Sequence, residues 1–388
     1  MCWDALIAHE CGSSGSRFSS NVISMSHPLI TQVVWKLDRG GTERMVFALA
    51  TQLPRHGFRV REVAAGGGGA MEDEFRAAHI PLTIGPAVDA LHRLETVRFL
   101  RHELRAHWPS VWHTHLGGDV WGGLAARLEG MHPWISTVHD VQDQPFLKGV
   151  MRGRALRAAD HVVCVSDTVR RYLASAYDRM RDVSVIRLGV EHVENVRPPF
   201  VERRLQRFVV IGRLVPDKRV DLLIQALSAI QEPWQLDVVG DGPELAYLEE
   251  LVRTLRVRPR VHFAGSVADV RPFLASADVC LFASREEGQG MVVLEAAAAG
   301  VPVIANDLPV LHELFDEYSI TFVPQGADVR VWTEIMQTVM YAPMETKARA
   351  QEAQAIVRKH FSIERMVREY VTLYNAMIDK QYAHPPCK

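Results

Sequence analysis

The 388-residue sequence lacks several features that mark common classes of protein. It has no apolar run of about 18 residues, the length that a membrane-spanning helix requires. It has no Gly-x-Gly-x-x-Gly loop, which disfavours a nicotinamide dehydrogenase. Its formal net charge is only −2, whereas a general nucleic-acid binder needs a surplus of basic residues on its binding face. The five cysteines are scattered without the spacing of a metal site, which favours a reducing compartment.

The composition and the order of patterns favour two α/β domains. Hydrophobic residues make up 48% of the chain, which suffices for two cores. From Leu29 onward, strand-like and helix-like stretches alternate, as in folds with a parallel sheet. The alternation stops over residues 191–206, where two consecutive prolines stiffen a predicted linker. We therefore expect doubly wound domains at 29–190 and 207–362, which place a ligand at the carboxyl ends of their strands.

The two ends of the chain differ from these domains. Residues 1–28 combine a serine-rich stretch with an apolar run that is too short for a signal peptide, so we expect a flexible extension. Met25 is a candidate start, because the first strand pattern begins shortly after it. Residues 363–380 carry an apolar stripe at helical spacing, which by itself predicts only a packed helix.

The most informative stretch is residues 284–305. It contains two carboxylates, Glu287 and Glu295, which are separated by a glycine loop and the start of a predicted helix. Strong helix formers follow the loop, and Gly300 and Pro302 end the helix. Glu295 therefore lies in an otherwise apolar helix, where an ionised carboxylate is costly without hydrogen-bond donors. A sugar diol supplies two such donors, so the pattern indicates a clamp for a sugar nucleotide.

Two further patterns in the second domain suit an anion. Gly288, Gln289 and Gly290 present free backbone N–H groups at the start of that helix, where the dipole favours negative charge. Arg213 and Lys218 stand five residues apart on a loop that follows the first strand of the domain. A guanidinium and an ammonium at this spacing suit a diphosphate, although an exposed loop with ordinary surface charges has the same composition.

In the first domain, Gly40 and Gly41 follow the first predicted strand and let the backbone approach a ligand closely, although Gly-Gly is also a common turn. Thr42 is a candidate cap for the next helix, as Ser166 is for a later one. His139 stands at the end of the strand that begins at Trp134, where it is a candidate site residue, although a structural histidine could occupy the same position.

Two more histidines, His113 and His115, alternate along a strand, so both side chains face one side of its end. That geometry permits a metal pair, but the sequence offers no evident third ligand nearby.

These residues resemble the GT4 family of retaining glycosyltransferases, which share the two-domain GT-B fold. The family's mark is a Glu-x7-Glu pair followed by a small-residue helix and Gly-x-Pro-Val, which stand here as Glu287, Glu295, Gly300, Pro302 and Val303. The Gly-Arg-Leu…Lys, His-x-His and Val-His-Asp motifs of the family are also matched, and the resemblance covers nearly all of residues 29–380.

The resemblance implies transfer of a hexose-like sugar from UDP or GDP to a glycan or lipid-linked acceptor hydroxyl, with retention of configuration and without a metal or other cofactor. It implies polysaccharide or glycolipid assembly in bacteria, in the cytoplasm or at the inner face of the membrane. Helix 363–380 would cross back to the first domain. The implied catalytic residues are Arg213, Lys218, Glu287 and His139. The implied nucleotide-sugar-binding residues are Gly40, Gly41, Gly265, Val267, Gly288, Gln289, Gly290, Met291, Val292 and Glu295.

Three positions depart from the family pattern. Gln289 replaces a common aromatic residue, Leu188 a usual asparagine and Arg219 a usual glycine. Gln289 bears on the shape of the sugar pocket rather than on the reaction. Two other classes stay open: a GT-B-fold enzyme such as an epimerase or a phosphorylase, and a non-catalytic sugar-nucleotide binding module.

Two basic clusters lie in the first domain, the second interleaved with apolar residues. They contain Arg93, Arg98, Arg101 and Arg105, and Lys148, Arg152, Arg154 and Arg157. Such a surface suits peripheral contact with an anionic membrane. A solvated helix face explains the same pattern, and both interpretations stay open.

Overall fold

A computed structural model of the chain describes residues 27–87, 93–141, 146–177, 180, 182–191 and 206–383. Nearly all of the predicted extension at 1–28, and the predicted linker apart from Glu191 and Gln206, lie outside these residues. None of the described helices combines the length and the apolar composition that crossing a bilayer requires.

Seven parallel strands form the first sheet, in the order β3-β2-β1-β4-β5-β6-β7. The strands are β1 (Leu29–Val34), β2 (Arg59–Ala64), β3 (Leu82–Ile84), β4 (Val111–His115), β5 (Trp134–Val138), β6 (His161–Cys164) and β7 (Val183–Val185). The helices between them are α1 (Gly41–Gln52), α2 (Glu72–Ala77), α3 (Arg93–His107), α4 (Gly118–Glu129), α5 (Phe146–Ala158) and α6 (Asp167–Ala176). Strands β4 and β5 are buried along their whole length, as expected where helices cover both faces of a parallel sheet.

Six parallel strands form the second sheet, in the order β10-β9-β8-β11-β12-β13. The strands are β8 (Gln206–Ile211), β9 (Trp234–Val239), β10 (Val261–Gly265), β11 (Val279–Phe282), β12 (Val303–Asn306) and β13 (Thr321–Val323). The helices are α7 (Val220–Ser228), α8 (Leu245–Thr254), α9 (Arg271–Ser276), α10 (Met291–Ala298), α11 (Val329–Tyr341), α12 (Pro343–His360) and α13 (Ile363–Ala383). In both sheets the strand order reverses beside the first strand, which opens a crevice at the carboxyl ends of the strands.

The two predicted helix caps have different outcomes. Ser166 caps α6, because its Oγ accepts a hydrogen bond from the N–H of Val169 at 3.0 Å. The prediction for Thr42 is wrong: α1 begins at Gly41, its N-cap residue is Gly40, and that cap has no side-chain hydrogen bond. Gly41 is the first residue of the helix, so Thr42 already lies within the first turn.

The last helix, α13, packs against the first sheet. Met366, Tyr370 and Tyr374 are fully buried in the same cluster as residues of β1 and β5. The hydroxyl of Tyr374 lies 2.7 Å from Nδ1 of His113, and that of Tyr370 lies 3.1 Å from Oγ1 of Thr137. The helix therefore crosses back to the first domain, as the resemblance implied.

Carboxylates of the chain itself engage part of the two basic clusters. Arg101 and Arg105 both donate to the carboxylate of Glu129. Arg152 is buried and donates to Asp119 and Asp140, each at 2.9 Å. These three cations serve to hold helices together, and contact of the remaining cations with a membrane stays a prediction.

We expect Tyr374→Phe to lower the free energy of unfolding by about 1–3 kcal/mol, because His113 would lose a partner inside the core. Urea-induced unfolding checks this value. The matched control is Tyr247→Phe on α8, whose side chain is 52% exposed and whose loss of a hydroxyl should change little. Equal unfolding midpoints for the two variants would contradict the packing of α13 described above.

Candidate functional site

A cavity of about 400 Å³ lies between the two sheets, at the carboxyl ends of β1, β5, β8 and β11. The sequence-predicted site residues that line it are Gly40, Gly41, His139, Arg213, Lys218, Glu287, Gly288, Gln289, Gly290, Met291, Val292 and Glu295. Residues from distant parts of the chain therefore meet in one cleft, because each follows a strand that ends there.

Gly265 and Val267 are not among the described residues that line this cavity. Gly265 ends β10 with a φ of +70°, and its carbonyl accepts a hydrogen bond from the N–H of Gly240 at 2.8 Å. The following residues, Ala268 and Asp269, line a neighbouring cavity of about 290 Å³. The two cavities share part of their walls, including Glu295, so the β10 loop adjoins the site rather than facing its centre.

One wall of the cavity is an ion pair between Lys218 and Glu287. Lys218 ends a short 3₁₀ turn after β8, and Glu287 lies on the loop between β11 and α10. Arg219, which stands where the family usually has glycine, has a φ of +52°, a left-handed conformation that glycine adopts without strain. Its guanidinium lies 3.4 Å from the carboxylate of Asp221, so it adds no charge to the pair.

Glu295 has a partner that the sequence pattern did not predict. Arg44 of α1 donates a hydrogen bond to its carboxylate at 2.6 Å, across the cleft between the two sheets. Burial raises the pKa of Glu295 above its usual range, and Arg44 opposes that shift. The two residues are 251 positions apart, so no local pattern signals the pairing.

Three buried histidines form a group at this cavity, which His139 lines and His113 and His115 do not. Burial lowers the pKa of His113 and of His139 to about 3, and it lowers the pKa of His115 as well, so all three rings are neutral near pH 7. Nδ1 of His115 lies 3.3 Å from Nε2 of His139. Among the described residues, no group of three metal-ligating side chains converges here or elsewhere.

Two of the departures from the family pattern meet in the structure. The side-chain amide of Gln289 accepts from the N–H of Leu188 at 2.7 Å and donates to its carbonyl at 3.0 Å. Ser166 donates to the carbonyl of Gly288 at 2.6 Å. A Cβ on Gly288 would lie 1.8 Å from the carbonyl oxygen of His139, so only glycine fits there. These contacts hold the glycine loop against the first domain.

Comparison with known proteins agrees with this geometry. The models of Glycosyltransferase Family 4 and of Glycosyl transferases group 1 match residues 39–194 and 206–340. A GDP-mannose-dependent phosphatidylinositol monomannoside mannosyltransferase of Mycobacterium tuberculosis is 31% identical over 285 residues, which span 66% of this chain and 71% of that protein. The chain belongs to glycosyltransferase family 4.

Other family relatives match over shorter stretches. An O-antigen biosynthesis glycosyltransferase of Escherichia coli, WclY, is 32% identical over 164 residues, or 42% of this chain. An N-acetyl-alpha-D-glucosaminyl L-malate synthase of Bacillus anthracis is 31% identical over 160 residues, or 40% of this chain. The chain thus spans less than half the length of these curated relatives, 45% and 42% respectively.

Solved structures of glycosyltransferases confirm the predicted GT-B fold. HepE from Anabaena, solved in complex with UDP and glucose, superimposes with a TM-score of 0.79 at 21% identity, over 90% of this chain and 100% of that one. Sucrose-phosphate synthase from Thermosynechococcus elongatus gives a TM-score of 0.77 at 18% identity, over 91% and 100%.

Glu43 is a second residue that the sequence pattern did not single out in this family 4 cleft. It lines the cavity in the first turn of α1. Burial raises the pKa of its carboxyl to about 7, with Asp38 adding to the shift and Arg213 opposing it. An acidic residue in a first helical turn is ordinary, since it complements the helix dipole. The sequence therefore carries no sign that this one is half-buried in the cavity wall.

We expect Gln289→Met to destabilise the protein by roughly 1–3 kcal/mol, because it leaves the buried N–H and carbonyl of Leu188 without partners. Differential scanning calorimetry measures the effect, and Gln235→Met, at an exposed position on β9, is the control. If both variants unfold like the wild type, the amide of Gln289 does not hold the glycine loop.

Proposed function

We propose that the chain is a retaining, metal-independent glycosyltransferase that moves a sugar from a nucleoside diphosphate to an acceptor hydroxyl. One observation carries the proposal: two cations, a helix start and two half-buried carboxylates converge on a single cleft between two parallel sheets. Membership of glycosyltransferase family 4 supports the same reaction class.

The diphosphate would bind between the β8 loop and the start of α10. Arg213 and Lys218 supply the cations. No described residue accepts a hydrogen bond from the backbone N–H of Met291 or Val292, so both can donate to a phosphate oxygen. A helix start stabilises an anion by about 0.3–1 kcal/mol at an exposed site and up to about 2 kcal/mol where it is partly buried. Gly40 and Gly41 would let α1 approach the same phosphates closely.

The sugar and the ribose would replace the present ion-pair partners of the two glutamates. Glu295 accepts from Arg44 in the ligand-free chain, and a ribose diol offers two donors in its place. Glu287 would likewise exchange Lys218 for sugar hydroxyls while Lys218 turns to the diphosphate. His139 would contact the sugar from the opposite wall, and the β10 loop with Gly265 and Val267 would adjoin the base.

In the reaction, the bond from the anomeric carbon to the phosphate oxygen breaks, and a bond from that carbon to the acceptor oxygen forms on the same face. The acceptor proton passes to the departing phosphate, so atoms and charge balance without a protein nucleophile. Arg213, Lys218 and the start of α10 would stabilise the negative charge that develops on the diphosphate, which is the main electrostatic contribution of such sites.

What relatives act on supports a choice of acceptor and setting. Relatives act in O-antigen biosynthesis and on a phosphatidylinositol mannoside. We infer a glycan or lipid-linked acceptor, and hence polysaccharide or glycolipid assembly at the inner face of the membrane.

Product analysis separates this reaction from its rivals: an epimerase changes the donor without an acceptor, and a binding module leaves the donor unchanged.

We expect Lys218→Met to lower turnover about 10²–10³-fold, as loss of one preorganised donor does in comparable sites. Initial rates of sugar transfer measure the effect. The control is Lys359→Met at an exposed position on α12, which should keep the wild-type rate. An unchanged rate in Lys218→Met would refute the role of this lysine at the diphosphate.

We expect donor affinity to fall as the pH rises through about 7, because Glu43 then ionises near Arg213 and repels the diphosphate. The fall should be about fivefold between about pH 6 and pH 8, equivalent to roughly 1 kcal/mol of repulsion between charges in a wet cleft. Calorimetric titration with an intact nucleotide sugar measures it, since neither phosphate of that ligand titrates in this range.

Two variants sharpen this test. Glu43→Gln should bind the donor with the same affinity at both pH values, whereas Glu250→Gln, at an exposed position on α8, should keep the wild-type dependence. The pH dependence has another origin if Glu43→Gln retains it.

A further inference from the structure

Glu313 of the second domain reaches the start of α6 in the first domain. It ends a 3₁₀ turn over Leu311–Glu313, which follows β12. Its carboxylate accepts hydrogen bonds from the N–H of Asp167 and from Oγ1 of Thr168, each at 2.7 Å, and from Nη2 of Arg171 at 3.2 Å. The side chain is 11% exposed, so water reaches little of it. One carboxylate of the second domain is therefore held by three donors of the first.

The start of α6 suits a carboxylate. Ser166 caps this helix by accepting from the N–H of Val169, which leaves the N–H of Asp167 to another acceptor. Glu313 is that acceptor, and its negative charge faces the positive end of the helix dipole. Nη2 of Arg187 lies 2.6 Å from Oδ2 of Asp167 and 3.5 Å from Oε2 of Glu313, which adds a second cation. The contact therefore joins unlike charges of the two domains.

The same 3₁₀ turn packs against the glycine loop. Gly290 is the N-cap residue of α10 and has a φ of +79°. A Cβ at Gly290 would lie 2.9 Å from Cδ2 of Leu311, so the side chain of Leu311 packs directly against this glycine. Ser166 donates to the carbonyl of Gly288 in the same loop. Helix α6 therefore contacts the glycine loop directly through Ser166 and indirectly through the turn that carries Leu311 and Glu313.

These contacts bear on the separation of the two cavity walls. Arg213, Lys218 and Glu295 line the cavity from the second domain, whereas Gly40 and His139 line it from the first. Displacement of reacting groups by about 1 Å lowers the rate of a reaction by up to about 10²-fold. The placement of the second domain on α6 therefore matters more to turnover than to binding of a free nucleotide, whose proposed contacts lie mainly on the second domain.

We propose that Glu313 is a positioning residue, which holds the second domain on the start of α6 and so sets the separation of the two cavity walls. The effect on sugar transfer rests on the proposed function. The contact between the domains is a property of the ligand-free chain, so the two are measured separately.

The distance between the domains is measured by double electron–electron resonance on the full chain, with one spin label on α4 and one on α8. Leu128→Cys and Tyr247→Cys place the labels, since each side chain is 52% exposed. Cys164 and Cys280 are buried and stay in place, while the other three cysteines are replaced by serine. We expect a narrow distance distribution in this parent chain. After Glu313→Gln it should become broader or longer, because an amide brings no charge to the helix start and the arginines.

Glu317→Gln is the matched control, because it makes the same change at an exposed position of the same loop. Its distance distribution should equal that of the parent chain. Thr168→Val tests the contact from the first domain, since it removes one donor and keeps the carboxylate. It should broaden the distribution less than Glu313→Gln does, and the two changes together should broaden it no further than Glu313→Gln alone.

The effect on the site is measured with UDP-glucose and GDP-mannose, by their hydrolysis, in which water takes the place of the acceptor hydroxyl. Glu313→Gln should lower the kcat for the effective donor by about 10–100-fold and leave binding of the matching free UDP or GDP unchanged. A role in stability alone would leave the kcat of the folded protein at the wild-type value, as we expect for Glu317→Gln.

Equal distance distributions in folded Glu313→Gln and in the parent chain would overturn the inference. An unchanged kcat beside a changed distribution would overturn its second half, the effect on the site. If Glu313→Gln does not fold, Thr168→Val decides the role of the contact by the same comparison. If neither UDP nor GDP binds the wild type, the proposed function fails, while the distance measurement still decides whether Glu313 holds the domains together.

Discussion

Two half-buried carboxylates at the cleft between the two sheets require cationic or hydrogen-bonding partners, and the arrangement of the site reflects that requirement. Glu287 and Glu295 each face a cation of this chain, Lys218 and Arg44 respectively. A half-buried charge without a partner is unfavourable, so each carboxylate of the ligand-free cleft is paired with a cation. In the proposed function, a nucleotide sugar would bring hydroxyl donors for the glutamates and phosphates for the cations. Binding of the donor would then exchange the partners of these charges rather than bury new charge.

The same cleft depends on a loop that is fixed from the first domain. Gly288 packs against the carbonyl of His139 where no side chain fits, and the amide of Gln289 closes two hydrogen bonds with Leu188. The start of α10 thus stands at a set distance from the loops of the first sheet. Preorganised donors of this kind stabilise developing charge without reorganising during the reaction.

Much of this architecture could be predicted from local sequence. The strand predicted to begin at Trp134 is present as β5 (Trp134–Val138). The Glu-x7-Glu pair and the Arg213–Lys218 loop also show locally, since each lies within a few residues of a strand end. The glycine pair Gly40-Gly41 predicts that the backbone can approach a ligand closely. In the structure Gly40 is the N-cap residue of α1, so the helix begins at Gly41 and not after a cap at Thr42.

Contacts between distant residues could not be predicted in this way. No pattern joins Arg44 to Glu295, or Leu188 to Gln289, because the fold alone brings each pair together. The half-buried position of Glu43 depends on the cavity walls around it, and an acidic first turn is equally common at a surface. The departures at Leu188 and Gln289 are separate in the sequence, and only the structure shows that the side chain of Gln289 bonds the backbone of Leu188.

Thermal unfolding with saturating UDP, GDP, ADP or NAD, in the presence of a chelator, tests the central claim most directly. A ligand at a hundredfold its Kd adds roughly 2.7 kcal/mol to the folded state, which raises the Tm by several degrees. The account predicts such a rise with UDP or GDP. A Tm unchanged by every nucleoside diphosphate, or raised by NAD alone, would contradict a nucleotide-sugar site built from Arg213, Lys218 and Glu295.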